Sequence, residues 1–472
     1  MMENRRDNAS GNLPRGPSGL PLLGNLLLFR SRAHPVSKIL TNWAKEYGNI
    51  YTLKIGPKPV YILNGYDCIN EVFNNPDVAG RNATKTFIAA LGEGSGPASS
   101  EGQTWTCLRH FTVKHFSSST ARQEEIISED VERILSALNS KAQTPIDIHS
   151  VFRPAFYNIM CKVAFGKSYN YSDDEFKTIA DIWDTVARNA GIATLNYTIK
   201  LPFGKSHEIF RKVSSLKSLL QNIVGERRSQ MEDKSATPSC FVDSYLLQQN
   251  EVQGKEVNKH FADANLIWSI VELFFTGTNT PEIVMSSIIV YLINNPHVQE
   301  RIQQELDNEL GDKPPTWADR QRLPYTQAAI AESMRHANNI FLGVPHVSSR
   351  PVTVEGYRIP AGSTFMANLD SVMMDPTAFP NPDDFDPERF LDEDGNYRRP
   401  KELVPFGIGM RSCAGEQLAH MEFLLMTCSI LQKMNFENPP GQDIPTVFTS
   451  ASGVSRSPRP FKVLVRPRRM EL

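Results

Sequence analysis

From about residue 105 onward the apolar positions recur at three- and four-residue spacing, the period of a helix with one buried face. Trp105–Phe116, Ala121–Leu138, Pro154–Ala164 and Phe176–Ala187 each carry this pattern, and Phe261–Asn294 extends it into one very long helix. At 1.5 Å per residue that helix would run about 50 Å, enough to cross a whole domain. Gly277 and Pro281 lie inside it and predict a local kink or widening. Pro296–Leu310 continues helically with Gly311 placed as its C-cap, and Tyr325–Ala337 is a further helix. Elsewhere the period shortens. Ile50–Ile55 and Pro59–Leu63 alternate and branch like strands around Gly56 and Pro57, a hairpin pattern, and Val352–Ile359 and Thr364–Asn368 read as short strands. Ser229–Ser239 is a polar loop, and Leu13–Gly24, with Pro14, Pro17 and Pro21, is a stiff extended segment. No repeat or low-complexity linker divides the chain. The pattern predicts a mainly α domain over 35–472 with a small β lobe near its start, preceded by a polar tail over 1–12 and a proline-rich lead-in over 13–34.

Composition narrows the class more by exclusion than by assertion. The 472 residues, 40% hydrophobic, can bury a large core. With 50 basic against 52 acidic residues and no basic patch, nothing points to nucleic acid. Cys68, Cys107, Cys161, Cys240, Cys413 and Cys428 are scattered, with neither a disulfide framework nor zinc-ligand spacing, which fits a reducing compartment. The apolar stretch Leu20–Phe29 is short and broken by Pro21 and Gly24, and Ile283–Ile293 is also too short to cross a bilayer. With Glu3 and Asp7 among Arg5 and Arg6, the first residues resemble neither a signal peptide nor a mitochondrial presequence. As read, the sequence contains no transmembrane anchor.

The densest chemical signal is Phe406-Gly407-Ile408-Gly409-Met410-Arg411-Ser412-Cys413-Ala414-Gly415, directly before a helix from about Glu416 to Met434. Leu418, Met421, Leu425, Cys428 and Leu431 form that helix's apolar stripe. Cys413 thus stands at a helix N-terminus, where the dipole and free N–H groups favour a thiolate. Gly407 and Gly409 allow a tight turn, Gly415 allows close approach of a flat macrocycle, and Arg411 is placed to meet a carboxylate such as a haem propionate. A single cysteine before a helix is most often a structural residue. The whole set at this spacing is not, and it resembles the cysteine loop of cytochromes P450, most closely the animal microsomal group that metabolises drugs and lipids. The resemblance runs from about Leu13 to the C-terminus.

That resemblance implies a fold, a cofactor and a set of site residues. The fold is the cytochrome P450 fold, and Cys413 is the proximal thiolate of haem b. Glu332-Ser333-Met334-Arg335, followed by Arg389 in Pro387-Glu388-Arg389-Phe390, matches the family's buried structural triad: Glu332, Arg335 and Arg389. Trp105-Thr106-Cys107-Leu108-Arg109 matches the helix whose Trp105 and Arg109 bind a propionate, and Pro345-His346 and Gly80-Arg81 match two more propionate contacts. In the oxygen-activating stretch Glu272–Pro281, Thr280 is the expected alcohol. The stretch departs from the family at Thr276, usually Ala or Gly, at Phe275, often smaller, at Asn279 in place of the acid, and at Pro281. An amide can orient water but cannot carry a proton as a carboxylate does, so Thr280, Asn279 and Thr276 would relay protons through water. Phe274 and Phe275 are expected near the oxygen face, facing a hydrophobic substrate.

The implied reaction inserts one atom of O2 into a fatty acid, steroid or xenobiotic. Electrons come from NADPH through NADPH–cytochrome P450 reductase, with cytochrome b5 as a second donor, since no flavin or nicotinamide motif is present. The implied location is the cytosolic face of the endoplasmic-reticulum membrane, by peripheral contact. Two other readings remain: a haem-thiolate isomerase or dehydratase of lipid peroxides, and a non-enzymatic haem-binding protein.

Overall fold

The structure is a computed structural model describing residues 13–25, 27–28, 36–56, 58–81, 95–185, 205–232, 237–449 and 456–468. The polar tail 1–12 lies outside these, as do 26 and 29–35 of the lead-in and the domain start, 57 of the hairpin, 186–187 of one expected helix and 233–236 of the polar loop.

The body is built around the helix Asp263–Asn294, buried along most of its length. It is preceded by a 3-10 turn, Glu256–Phe261, so it starts slightly later than expected. It stays α-helical through Gly277 and Pro281, and the expected widening is not found. Gly277 lets the two helices approach closely: a Cβ there would stand 2.7 Å from Met160 Sδ on the helix His149–Phe165. The helix His149–Phe165 begins five residues before Pro154 and carries that proline inside it. Just before its N-cap, Ile148, the Asp147 carboxylate accepts the His149 N–H at 3.0 Å, and the helix ends at Gly166 in the left-handed region. Gly102–Ser118, Thr120–Ser140, Pro296–Glu309, Pro324–Ala337 and Glu416–Lys433 supply further helices where the pattern placed them. Gly311, at φ 57, closes Pro296–Glu309 with its N–H on the Leu306 and Asp307 carbonyls.

In chain order the strands are β1 (Ile50–Ile55), β2 (Lys58–Leu63), β3 (Pro145–Asp147), β4 (His346–Val347), β5 (Val352–Val354), β6 (Tyr357–Ile359), β7 (Thr364–Ala367), β8 (Met434–Glu437), β9 (Val447–Thr449), β10 (Arg456–Pro458) and β11 (Lys462–Pro467). The largest sheet has the order β1-β2-β7-β4, with β2 and β7 parallel. The β lobe is therefore not confined to the start of the chain, because half of this sheet comes from 346–367. The stretch expected as one strand, Val352–Ile359, is a hairpin. Glu355 and Gly356 take φ 48 and 78 between Val354 and Tyr357, as a tight two-residue turn demands. β3, β11 and β8 form another sheet and β9 pairs with β10.

Residues 13–25 lie along the outer edge of β1. Thr52 donates its N–H to the Arg15 carbonyl (3.0 Å) and its hydroxyl to the Pro14 carbonyl (2.7 Å). The segment then turns at Leu20–Gly24, and Asn25 and Lys54 exchange hydrogen bonds. The approach is so close that a Cβ on Gly16 would lie 1.9 Å from the Thr52 carbonyl oxygen.

Candidate active site

The cysteine loop is closed by its own backbone. Cys413 donates its N–H to the Phe406 carbonyl (2.9 Å), Gly407 to Val404 (3.0 Å) and Ser412 to Gly409 (3.1 Å). Gly407 and Gly409 take φ 81 and 82. At Gly409 a Cβ would also stand 2.4 Å from the Phe73 carbonyl oxygen, so both dihedral and space exclude a side chain. Gly415 is the N-cap of the helix Glu416–Lys433, and a Cβ on it would meet only the Cys413 sulfur, at 4.0 Å. Phe406 packs on His420, ring centroids 4.9 Å apart. Burial pushes the Cys413 thiol pKa up, while the Gly415 N–H and the Arg109 charge oppose that and the Glu416 charge adds to it.

Around this loop the fold gathers cations from distant segments. Arg109 donates to the Ser412 carbonyl at 2.8 Å and to its hydroxyl at 3.3 Å. Arg81 is buried beside the Gly80–Val347 bridge and donates to the Pro345 carbonyl (2.9 Å). Arg411 lies over the Trp105 ring at 4.1 Å. Its three guanidinium nitrogens go to the carbonyls of Ala79 (2.9 Å), Ala98 (3.4 Å) and Ser100 (2.6 Å). His346 bonds the Val78 carbonyl at 3.0 Å and stacks on Phe73 at 3.6 Å. Burial and then the neighbouring arginines lower these pKa values: Arg81 to about 10, Arg411 to about 9 and His346 to about 2. Burial lowers Arg109 as well. The indole N–H of Trp105 is buried with no acceptor among the described residues. Crowded arginines held below their ordinary pKa, an uncharged His346 and an orphaned Trp105 donor, next to the exposed Cys413, fit a flat group bearing two carboxylates. The residues present therefore fit haem.

Glu332, Arg335 and Arg389 come together as a buried cluster. Arg335 Nε and Nη2 donate to the two carboxylate oxygens of Glu332 at 2.6 and 2.8 Å, and Arg389 Nε donates to Glu332 Oε1 at 3.1 Å. The Asp386 N–H adds a bond at 2.9 Å. Remaining guanidinium donors reach the carbonyls of Met373, Pro382 and Pro380.

On the long helix, Thr280 and Asn279 are half-buried and Thr276 is exposed. The Thr276 hydroxyl donates to the Glu272 carbonyl (2.8 Å), and Thr278 likewise to Phe274 (2.7 Å). Phe274 does not face the oxygen side as expected. It is fully buried between Phe165 and Trp183, stacked at 5.4 and 5.2 Å, because its helix position faces the neighbouring helices. Phe275 is half-buried. Sequence alone assigns Glu272 no role, yet its carboxylate accepts the N–H groups of Gly96 (3.3 Å) and Ala98 (2.7 Å) and the Ser99 hydroxyl. It ties the segment 95–100 to the long helix, and Arg411 ties the same segment to the cysteine loop. The signal in the sequence was an acid between apolar residues, Val271 and Leu273, on a mostly buried helix.

The comparisons agree with this geometry. Residues 14–465 match the family described as Cytochrome P450. The chain is 31% identical to Cytochrome P450 2U1 of Mus musculus, covering 98% of this chain and 92% of that protein. It is 33% identical to Cytochrome P450 2F5 of Gorilla gorilla gorilla (97% and 94%) and 29% identical to Cytochrome P450 2C8 of Homo sapiens (96% and 94%). A match of this extent, laid over a glycine-rich cysteine loop, a buried Glu–Arg–Arg cluster and a crowded set of arginines, places the chain in the cytochrome P450 family of haem-thiolate monooxygenases.

Proposed function

We propose that the enzyme inserts one atom of O2 into a hydrophobic small molecule, a fatty acid, steroid or xenobiotic. Its electrons come from NADPH through NADPH–cytochrome P450 reductase, with cytochrome b5 as a second donor, and its cofactor is haem b. The observation that carries this reading is the cysteine loop with its ring of crowded cations. Cys413 is the iron ligand. Trp105, Arg109, Arg81 and His346 hold the propionates, and Arg411 both supplies charge and fixes the segment 95–100. Phe406, Gly407 and Gly415 shape the loop, and Glu332, Arg335 and Arg389 brace it. When bound, the haem supplies the oxygen chemistry; the protein supplies the thiolate, the pocket and the protons. Thr280 and Asn279 orient water for proton delivery. Thr276, whose own proton is used on the Glu272 carbonyl, serves as an acceptor. Reconstitution with reductase, NADPH and 18O2 over a panel of lipophilic compounds tests the reading, and product carrying one 18O atom is expected.

The amide at Asn279 favours one other reading, an isomerase or dehydratase of lipid peroxides. Turnover of a fatty-acid hydroperoxide without NADPH, and no NADPH-dependent product, would establish it instead.

Contact with the cytosolic face of the endoplasmic-reticulum membrane is part of the proposal. Among the described residues no helix is long and apolar enough to span a bilayer. Leu20, Leu22, Leu23 and Leu27 are exposed together at the turn beside β1, Leu22 at 89%, which supports a lipid-facing patch. Co-sedimentation with phospholipid vesicles at low salt should be lost on Leu22→Ser with Leu23→Ser.

A further inference from the structure

Asn279 deprives the oxygen-side helix of its usual acid, yet the next turn of that helix carries another. The Glu282 side chain is 3% exposed. Its Oε1 is in hydrogen-bond contact with His149 Nδ1 and accepts the Ser286 hydroxyl at 3.2 Å. His149, at the start of the helix His149–Phe165, is 16% exposed and so reaches solvent, with the Phe461 ring edge-on to it. Among the described residues, Arg153, Asp184, Tyr157 and Asp147 are the other charged and titratable groups beside the pair. Arg153 Nη2 stands 3.9 Å from Glu282 Oε2, and its Nη1 stands 3.6 Å from Asp184, which accepts the Tyr157 hydroxyl at 2.6 Å. Asp147 accepts the His149 backbone N–H and adds negative charge beside the ring. Burial alone would lower the His149 pKa, but the bond to Glu282 and its charge outweigh burial and raise it.

Helix geometry connects this pair to the reacting side. Residues 279 and 282 are at i and i+3, with Cβ atoms about 5–6 Å apart on one face. The Glu282 carboxylate itself is held by His149 and Ser286, less than one helical turn along the chain from Asn279. Pro281 has no N–H, so the Gly277 carbonyl lacks its helical donor and offers water an acceptor at that turn.

We propose that His149 and Glu282 are the proton entry for oxygenation, replacing the acid missing at Asn279. The imidazolium gives its Nδ1 proton to Glu282 Oε1. The resulting carboxylic acid passes a proton to water held by the Asn279 amide and the Thr280 hydroxyl, and His149 is recharged from bulk water. Only protons move along this route; both electrons come from the NADPH-linked donor. The proposal rests on the monooxygenase reading.

The test compares wild type with Glu282→Gln and His149→Gln, all haem-loaded, in two reactions: NADPH with O2, and hydrogen peroxide, which brings its own oxygen, electrons and protons. In both variants product per NADPH should fall at least threefold and peroxide release should rise, while peroxide-driven turnover stays within twofold of wild type. Glu282→Asp should recover part of the coupling. Independently of turnover, NMR titration should show the His149 pKa lower in Glu282→Gln than in wild type. Wild-type coupling in both variants would overturn the proposal, and so would an equal loss of both reactions, which would mark the pair as structural. A wild-type enzyme that turns over lipid hydroperoxides but makes no product from NADPH would overturn the monooxygenase reading itself.

Discussion

Replacing Glu332 by Gln keeps the shape of the side chain but removes the charge shared by two guanidiniums. Arg335 is 0% exposed and Arg389 7%, so neither can turn to water when the carboxylate is lost. A unit charge pair at about 4 Å is worth about 4 kcal/mol at an effective dielectric of 20. Breaking a buried pair costs about 3–5 kcal/mol in practice. Backbone carbonyls at Met373, Pro380 and Pro382 already hold other N–H groups of both arginines, which keeps the geometry and puts the expected loss at the lower end, about 3 kcal/mol. Against a total stability of about 5–15 kcal/mol that is a large fraction. The variant should purify with less haem and unfold at a lower guanidinium concentration. Its reduced carbon monoxide complex should show a diminished red-shifted Soret band. Full haem retention with a stability change under about 1 kcal/mol would refute the idea that this cluster's charges depend on one another.

Cys413→Ala should abolish the red-shifted carbon monoxide band, whereas single replacement of Cys68, Cys107, Cys161, Cys240 or Cys428 should preserve it; difference spectra decide. Gly409→Ala meets the Phe73 carbonyl as well as a positive φ and should cost about 2–4 kcal/mol in denaturant titration. Gly407→Ala meets only the positive φ and should cost about 1–2 kcal/mol. Asn279→Asp should raise product per NADPH and Thr280→Ala should lower it, since a positioned acid–base group is worth about 10²–10⁴-fold. Burial holds the His115 pKa down at about 4, partly offset by the Asp243 charge. The unfolded chain therefore binds a proton that the folded one refuses. This term leaves the fold intact above about pH 6.5 and removes about 3 kcal/mol as pH falls towards 4. His115→Phe should flatten that part of the stability–pH curve.

The sequence made legible whatever local rules govern. Strict helical periodicity located Asp263–Asn294 and Glu416–Lys433, and Cys413 stood out because its neighbours on both sides were unusual together. Features set by partners far along the chain were not legible. Nothing local says that β2 pairs with β7, three hundred residues on, or that Phe274 faces Trp183 and not the pocket. The Glu355-Gly356 turn was missed because glutamate is an uncommon residue at positive φ, where Asn or Asp would have signalled a hairpin. Arg411 reads as a carboxylate partner, but three carbonyls converge on it only once the segment 95–100 is folded against the loop.

The segment along β1 has a consequence for handling the protein. β1 is the last strand of its sheet, and residues 13–25 occupy hydrogen-bonding groups that would otherwise face solvent. An expression form trimmed within this stretch would present an open strand edge, a ready template for pairing with a second chain. Trimming intended to raise solubility would then promote aggregation while every residue of the haem site was retained. The useful boundary for shortened forms lies before Leu13, and Gly16 and Gly24 should be left unchanged, because any side chain there would lift the segment away from the sheet.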